Sequence, residues 1–174
     1  MQYNQGDVPL EYAIGDLLRE HGLTLGAAES CTGGLIAHRI TNVPGSSDYF
    51  LGGVVAYANA VKERVVGVRA GTIVAHGAVS AETALEMAQG VRRVLQVDLA
   101  LSTTGVAGPG GGTPSKPVGL VYVALAAADG DWVERHIWDG DRLMNKQLSA
   151  DAALNLIYRY LVDSLTMSNL TSEV

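Results

Sequence analysis

Leu23-Thr24-Leu25-Gly26-Ala27-Ala28-Glu29-Ser30-Cys31-Thr32-Gly33-Gly34 decides the fold, because an apolar run stops there at a polar turn and helical periodicity begins just beyond it. Leu23 to Ala28 predicts a buried strand, and Leu35, Ile36 and Ile40 give the next segment one apolar helical face. A turn from strand to helix exposes its side chains. Gly33 and Gly34 let backbone or ligand approach closely, and the free N–H groups of the first helical turn are expected to point at whatever sits above Ser30. A hydroxyl in front of such donors suits acyl transfer, with Ser30 attacking a carbonyl while backbone amides hold the developing oxyanion. From this stretch alone a plain helix cap by Ser30 or Thr32 is the better explanation, since both residue types are favoured there without any chemistry. The case for function rests on the rest of the chain.

Upstream, Leu10, Ala13, Ile14, Leu17 and Leu18 recur at helical spacing, so a helix is predicted from about Leu10 to His21, with Gly22 ending it. Downstream, Asn42 to Ser47 reads as a loop and Gly52 to Tyr57 as a buried strand. Asn59 is placed to cap a short helix that carries Lys62 and ends before Gly67. Ser80 caps a longer helix to about Leu95, striped by Ala84, Leu85, Ala88, Val91 and Leu95. Asp98 to Thr104 forms a third strand that runs into Gly105-Val106-Ala107-Gly108-Pro109-Gly110-Gly111-Gly112-Thr113-Pro114, a loop able to fold round a ligand. No Gly-Lys-Ser/Thr ends that run, and Thr113 stands where a dinucleotide fingerprint needs its third glycine. Leu120 to Ala127 and Trp132 to Trp138 are strands joined at Asp129-Gly130, a hairpin signal, and a last helix follows Gly140-Asp141-Arg142 to about Leu165, leaving a polar, frayed tail from Thr166. Strands alternating with helices and then a hairpin give the expectation of an α/β protein: one three-layer α/β/α domain over residues 1–174 with a mixed β-sheet.

The 174 residues suffice to bury a core without disulfides, and 48% hydrophobic content with 21 glycines fits a compact α/β chain with tight turns. The single cysteine, Cys31, excludes an internal disulfide and fits a reducing compartment. Residues 1–8 lack the basic start and apolar centre of a signal peptide, and no apolar run reaches membrane-spanning length, so a cytoplasmic protein without membrane contact is expected. A formal charge of -6 argues against nucleic acid as a partner, although one arginine and helix N-termini can still hold a small phosphate.

Serine needs a base to become a nucleophile. The four histidines sit at a helix end (His21), within a helix (His38), before a turn (His76) and within a strand (His136); none belongs to a triad pattern or a metal-ligand spacing, so all are assigned structural or solvated roles and no metal is expected. Lysine can serve when desolvation lowers its pKa. Of the three lysines, Lys116 lies between prolines and Lys146 on a surface-like helix, whereas Lys62 follows a buried strand into the layer where Ser30 is exposed. That makes Lys62 the best base, against the plain alternative of a solvated helix lysine. Tyr57 either orients Lys62, relays a proton or is an interior aromatic. Cys31 is a rival nucleophile or a small buried hydrophobe. Arg142 could fork onto a phosphate or pair with Asp141 or Asp139, and Glu29 could pair with a cation or accept the N–H groups of the turn.

The pieces Glu29-Ser30-Cys31-Thr32-Gly33-Gly34, Pro44-Gly45-Ser46-Ser47, Tyr57-x-Asn59-x-x-Lys62, His76-Gly77-Ala78-Val79-Ser80, Gly105-x-Ala107-Gly108-Pro109-Gly110-Gly111, Lys116-Pro117-Val118-Gly119 and Gly140-Asp141-Arg142 occur in order along nearly the whole chain. Together they resemble the C-terminal domain of the competence/damage-inducible CinA proteins, a family whose stand-alone members include nicotinamide mononucleotide deamidase. The resemblance implies hydrolysis of the nucleotide's carboxamide to nicotinate mononucleotide and ammonia, without metal or other cofactor. It makes Ser30 the nucleophile and Lys62 the base, with Tyr57 and Asn59 in the same site and amides after Ser30 holding the oxyanion. Cys31, Thr32, Gly33, Thr104, Gly105, Ala107, Gly108 and Arg142 fall on the substrate-binding side. It also implies a homodimer or larger homo-oligomer, and leaves a nucleotide-binding regulatory module without turnover as the alternative. Two departures stand out: Thr104 replaces the usual serine, and Lys146 stands near where relatives carry a second arginine.

Overall fold

The computed structural model describes residues 8–171. Helix α1 (Leu10–Glu20) starts after Pro9 and buries Ile14 and Leu18. Its end is set by left-handed Gly22 (φ 63°), a conformation that costs a glycine little. Strand β1 (Leu25–Glu29) is buried along its whole length, which its small residues permit: a Cβ on Gly26 would meet Leu95 at 2.8 Å. Then follow α2 (Leu35–Thr41), β2 (Phe50–Val55), α3 (Asn59–Arg64), α4 (Ala70–His76), α5 (Ala81–Leu95), β3 (Leu99–Gly105), β4 (Leu120–Ala126), β5 (Asp131–Ile137) and α6 (Arg142–Thr171).

The sheet order is β2-β1-β3-β4-β5, with β1 parallel to β2 and β3, and with β3–β4 and β4–β5 antiparallel. One face is covered by α1, α2 and α6, whose Ile14, Leu18, Ile36, Ile40, Leu154 and Ile157 share a core with Leu25, Leu101 and Val123. On the other face α5 crosses the sheet, and Met87 and Val91 pack with Ala28, Ala100 and Val66. The chain is thus an α/β fold of three layers around a mixed sheet.

Boundaries shift from the sequence reading by one to two residues in most elements, and three differences have physical causes. Helix α4 has no counterpart in the pattern, because it buries only Thr72 and therefore carries no apolar stripe. Asn59 is the first residue of α3 and not its cap; Ala58 holds the cap position, without a side-chain hydrogen bond. Helix α6 continues through the segment read as a frayed tail as far as Thr171, while residues 1–7 and 172–174, which include most of the stretch read for a leader, lie outside the described residues.

Candidate active site

The connection β1–α2–β2 runs over one face of the sheet and the connection β2–α3–α4–α5–β3 over the other, so the chain diverges at the carboxyl ends of neighbouring β1 and β3. A crevice at such a divergence is where open α/β sheets bind ligands. Here it is a cleft of about 290 Å³ into which Ser30, Tyr57, Asn59, Lys62, Thr104 and Arg142 project, closed on the far side by the glycine loop from Gly105 to Gly111.

Ser30 is the first residue after β1, and its amide still donates to the Thr103 carbonyl (2.9 Å), so the strand fixes its position. The turn that follows is held by Glu29. This carboxylate, 1% exposed, accepts from the amides of Gly34 (2.9 Å), Ile36 (3.1 Å) and Ala37 (2.8 Å). Of the two roles open to Glu29, acceptance of the turn's N–H groups is the one built. Glu29 thereby takes the Gly34, Ile36 and Ala37 amides at the start of α2, which are not free to face a ligand above Ser30.

Lys62 reaches Ser30 from the opposite layer. It is 2% exposed, and its Nζ lies 3.0 Å from Ser30 Oγ, 2.8 Å from the Ala56 carbonyl and 3.2 Å from the Tyr57 carbonyl. Desolvation holds its pKa below the ordinary lysine value, with the Cys31 sulfur opposing. Two carbonyls take two N–H groups, so in the neutral amine the nitrogen lone pair is left for the Ser30 hydroxyl proton. Cys31 lies in the same cleft, but burial pushes its thiol up to about 11, helped by the negative charge of Glu29 and opposed by the nearby amides and Thr103. It is a neutral thiol at physiological pH and a poor nucleophile.

Tyr57 is 59% exposed and divides its groups: its carbonyl orients Lys62, while its hydroxyl accepts from Arg142 Nη2 (2.8 Å). Lys62 Nζ meets Tyr57 at its carbonyl and not at its hydroxyl. Arg142 Nη1 donates to the Gly108 carbonyl (2.7 Å), so the guanidinium bridges the glycine loop and Tyr57 and forms no ion pair with Asp139 or Asp141. Thr104 lines the cleft with its hydroxyl committed to the Ala78 carbonyl (2.6 Å). Gly105, Ala107 and Gly108 line it as well.

Thr32 and Gly33, also expected on the substrate side, do not line the cleft. Thr32 is fully buried and shares a hydrogen bond with Thr103 (2.7 Å), and Gly33 turns toward α6, where a Cβ would sit 3.7 Å from Lys146 Nζ. Lys146 is accordingly outside the cleft. Ala78 and Val79 also line the cleft, a role that their place in His76-Gly77-Ala78-Val79-Ser80 does not by itself reveal. Sequence reasoning missed Asn145 entirely. This buried residue donates to the Ala107 carbonyl (3.1 Å) and fastens the glycine loop to α6; its position one helical turn after Arg142 was the available signal.

Among the described residues no carboxylate lines the cleft, whose charged side chains are Lys62 and Arg142. An acidic chain thus presents a cationic pocket suited to an anionic ligand. Among the described residues no helix is long and apolar enough to cross a membrane.

These features define an α/β protein with a buried lysine set on a serine at the switch point of its sheet. The chain belongs to the CinA C-terminal domain family, whose model matches residues 7–161. It is 52% identical over 159 residues to a CinA-like protein of Chloroherpeton thalassium, covering 89% of this chain and 38% of that one. To a CinA-like protein of Salinibacter ruber it is 55% identical over 149 residues, covering 86% of this chain and 36% of the relative. The chain therefore spans well under half the length of these relatives. Among solved structures, the competence/damage inducible protein CihA of Agrobacterium tumefaciens superposes with a TM-score of 0.81 at 37% identity, covering 90% of this chain and 97% of that one. The competence damage-inducible protein A of Klebsiella pneumoniae gives 0.85 at 30% identity, covering 88% and 95%.

Proposed function

We propose that the chain is an amidohydrolase that cleaves the carboxamide of nicotinamide mononucleotide, giving nicotinate mononucleotide and ammonia. The observation that carries this reading is the 3.0 Å contact between desolvated Lys62 Nζ and Ser30 Oγ at the floor of a cationic cleft. Lys62 accepts the Ser30 proton as Oγ attacks the amide carbon. The C–N bond then breaks, the leaving nitrogen takes that proton from Lys62 and departs as ammonia, and a nicotinoyl ester remains on Ser30. Water attacks the ester, gives its proton to Lys62, and the C–Oγ bond breaks as Ser30 is reprotonated. No step needs a metal or an organic cofactor. Arg142, at the mouth of the cleft, supports an anionic nucleotide over a neutral amide as substrate, because its guanidinium matches phosphate geometry.

The decisive assay measures ammonia and nicotinate mononucleotide released by wild type, Ser30→Ala and Lys62→Ala, each checked for cooperative unfolding. Release by wild type alone supports the reading. Binding of the nucleotide by wild type without release removes it in favour of a regulatory binding module.

A further inference from the structure

Beyond the Ser30–Lys62 pair, acyl transfer needs a donor for the oxyanion, and Glu29 already holds the amides of Gly34, Ile36 and Ala37. A donor not held by Glu29 is found on β3. Thr104 and Val106 turn their main-chain groups toward β4: Thr104 pairs with Tyr122, the Val106 amide donates to Leu120 O (2.8 Å), and the Val106 carbonyl accepts from Gly119 (2.7 Å). Residues of a strand alternate between its two edges, so Thr103 and Gly105 turn theirs toward β1. The Thr103 carbonyl does so, accepting the Ser30 amide.

Had β1 continued, the Gly105 N–H would have met the Ser30 carbonyl as the next rung of a parallel ladder. The ladder ends at the Glu29–Thr103 pair, because the chain turns at Ser30 and the Ser30 carbonyl accepts from Gly33 instead (3.2 Å). By that alternation the Gly105 amide is left directed at Ser30 and not at β4, no bond from it to the Ser30 carbonyl forms, and Gly105 lines the cleft. The geometry points to the Gly105 N–H as the donor that holds the oxyanion formed when Ser30 attacks, an assignment that rests on the amidohydrolase reading above. The group is part of the sheet, so it is fixed before substrate arrives, as an effective oxyanion donor must be.

A side-chain substitution cannot test this. A Cβ on Gly105 would lie 2.6 Å from both Leu120 O and Val121 Cγ2, so Gly105→Ala disturbs the strand whatever its amide does. The test replaces the amide alone, by incorporating glycolic acid at position 105 so that an ester oxygen stands in place of N–H. The probe is an alkyl fluorophosphonate: Lys62 takes the Ser30 proton, Oγ bonds to phosphorus, the P–F bond breaks and fluoride leaves, and the phosphoryl oxygen occupies the oxyanion position without any assumption about the natural substrate. Wild type should be labelled on Ser30, and Ser30→Ala should not. The 105 ester should be labelled about a hundredfold more slowly, the loss typical of one missing oxyanion donor. A second ester at Leu99, made with the matching hydroxy acid, removes an N–H that donates to the Thr24 carbonyl (2.9 Å) at the opposite end of β3, away from the cleft; it should lower the melting temperature and leave the labelling rate near wild type. Labelling of the 105 ester at the wild-type rate, or equal slowing by both esters, overturns the assignment while leaving the Ser30 nucleophile standing. Failure of wild type to label overturns the nucleophile itself, and this inference with it.

Discussion

Glu29→Gln changes few atoms at the most constrained point of the site, and its cost can be worked out from the bonds it disturbs. Oε2 serves Gly34 and Ile36, and Oε1 serves Ala37. The amide oxygen of glutamine can keep the first pair as neutral hydrogen bonds, each weaker by about 1 kcal/mol than its charge-assisted form. The amide nitrogen then faces the Ala37 N–H, donor against donor, and an unpaired buried donor costs about 1–3 kcal/mol. Loss of a negative charge at a helix N-terminus adds roughly 0.3–1 kcal/mol. Release from desolvating a carboxylate offsets part of this, leaving a net loss of about 2–3 kcal/mol. For a chain of this size that is a fall of roughly 4–12 °C in melting temperature, which calorimetry resolves easily. The same variant bears on activity. If the amides of α2 were the oxyanion donors, weakening the hold of Glu29 would free them and ammonia release would rise; with Glu29 fixing the turn that carries Ser30, release falls instead. A melting temperature within 1 °C of wild type, or a faster enzyme, refutes the reasoning.

Burial of Lys62 also fixes the sign of two pH effects. Its native pKa lies below the ordinary lysine value, so hydrolysis should rise with pH as the amine is freed and level off before that value is reached. In the interval between the two pKa values the unfolded chain holds more protons than the native one, so urea-unfolding stability of wild type gains with pH relative to Lys62→Met across that window. Cys31→Ala should retain ammonia release within a few-fold, and the native thiol should resist a disulfide reagent at neutral pH, because burial pushes it up to about 11. Arg142→Lys should raise KM far more than it lowers kcat, since a single ammonium cannot bridge Gly108, Tyr57 and a bound phosphate together; steady-state kinetics separates the two constants.

The elements that bury a continuous stripe could be read directly from sequence. Helix α5 shows apolar spacing from Ala84 to Leu95 with Ser80 as its cap, and the Ser80 side chain does accept the Thr83 amide. Helix α4 was illegible for the converse reason: Val74 lies in solvent, and nothing in the pattern of residues 70–76 marks a face. Within the site, residue types suggested Ser30 and Lys62, but their meeting depends on a crossover that brings α3 to the end of β1. Periodicity carries no information on that distance. Thr32 shows the opposite error. A hydroxyl two residues after Ser30 looks available for a ligand, yet the turn rotates it inward onto Thr103.

Main-chain geometry explains why one pair of strand ends can hold the whole arrangement. The Glu29 carbonyl accepts the Ala56 amide (2.8 Å), and the Ala56 carbonyl in turn accepts from Lys62, so the strand that leads into Ser30 also sets the peptide on which Lys62 rests. From the other side, Thr103 anchors the Ser30 amide and Thr104 ties β3 to Ala78 ahead of α5. Each reacting side chain is therefore referenced to β1 through one or two hydrogen bonds. Exposed Tyr57 and Arg142 join the glycine loop to that frame by only a few polar contacts. Local opening costs least where apolar contacts are few, so this rim should move first when a nucleotide enters, while the Ser30–Lys62 distance stays fixed. Hydrogen exchange should then be fast at Gly110 and Gly111 and slowed there by bound nucleotide, with the β1 amides protected throughout; exchange in β1 as fast as in the loop would contradict a preset pair.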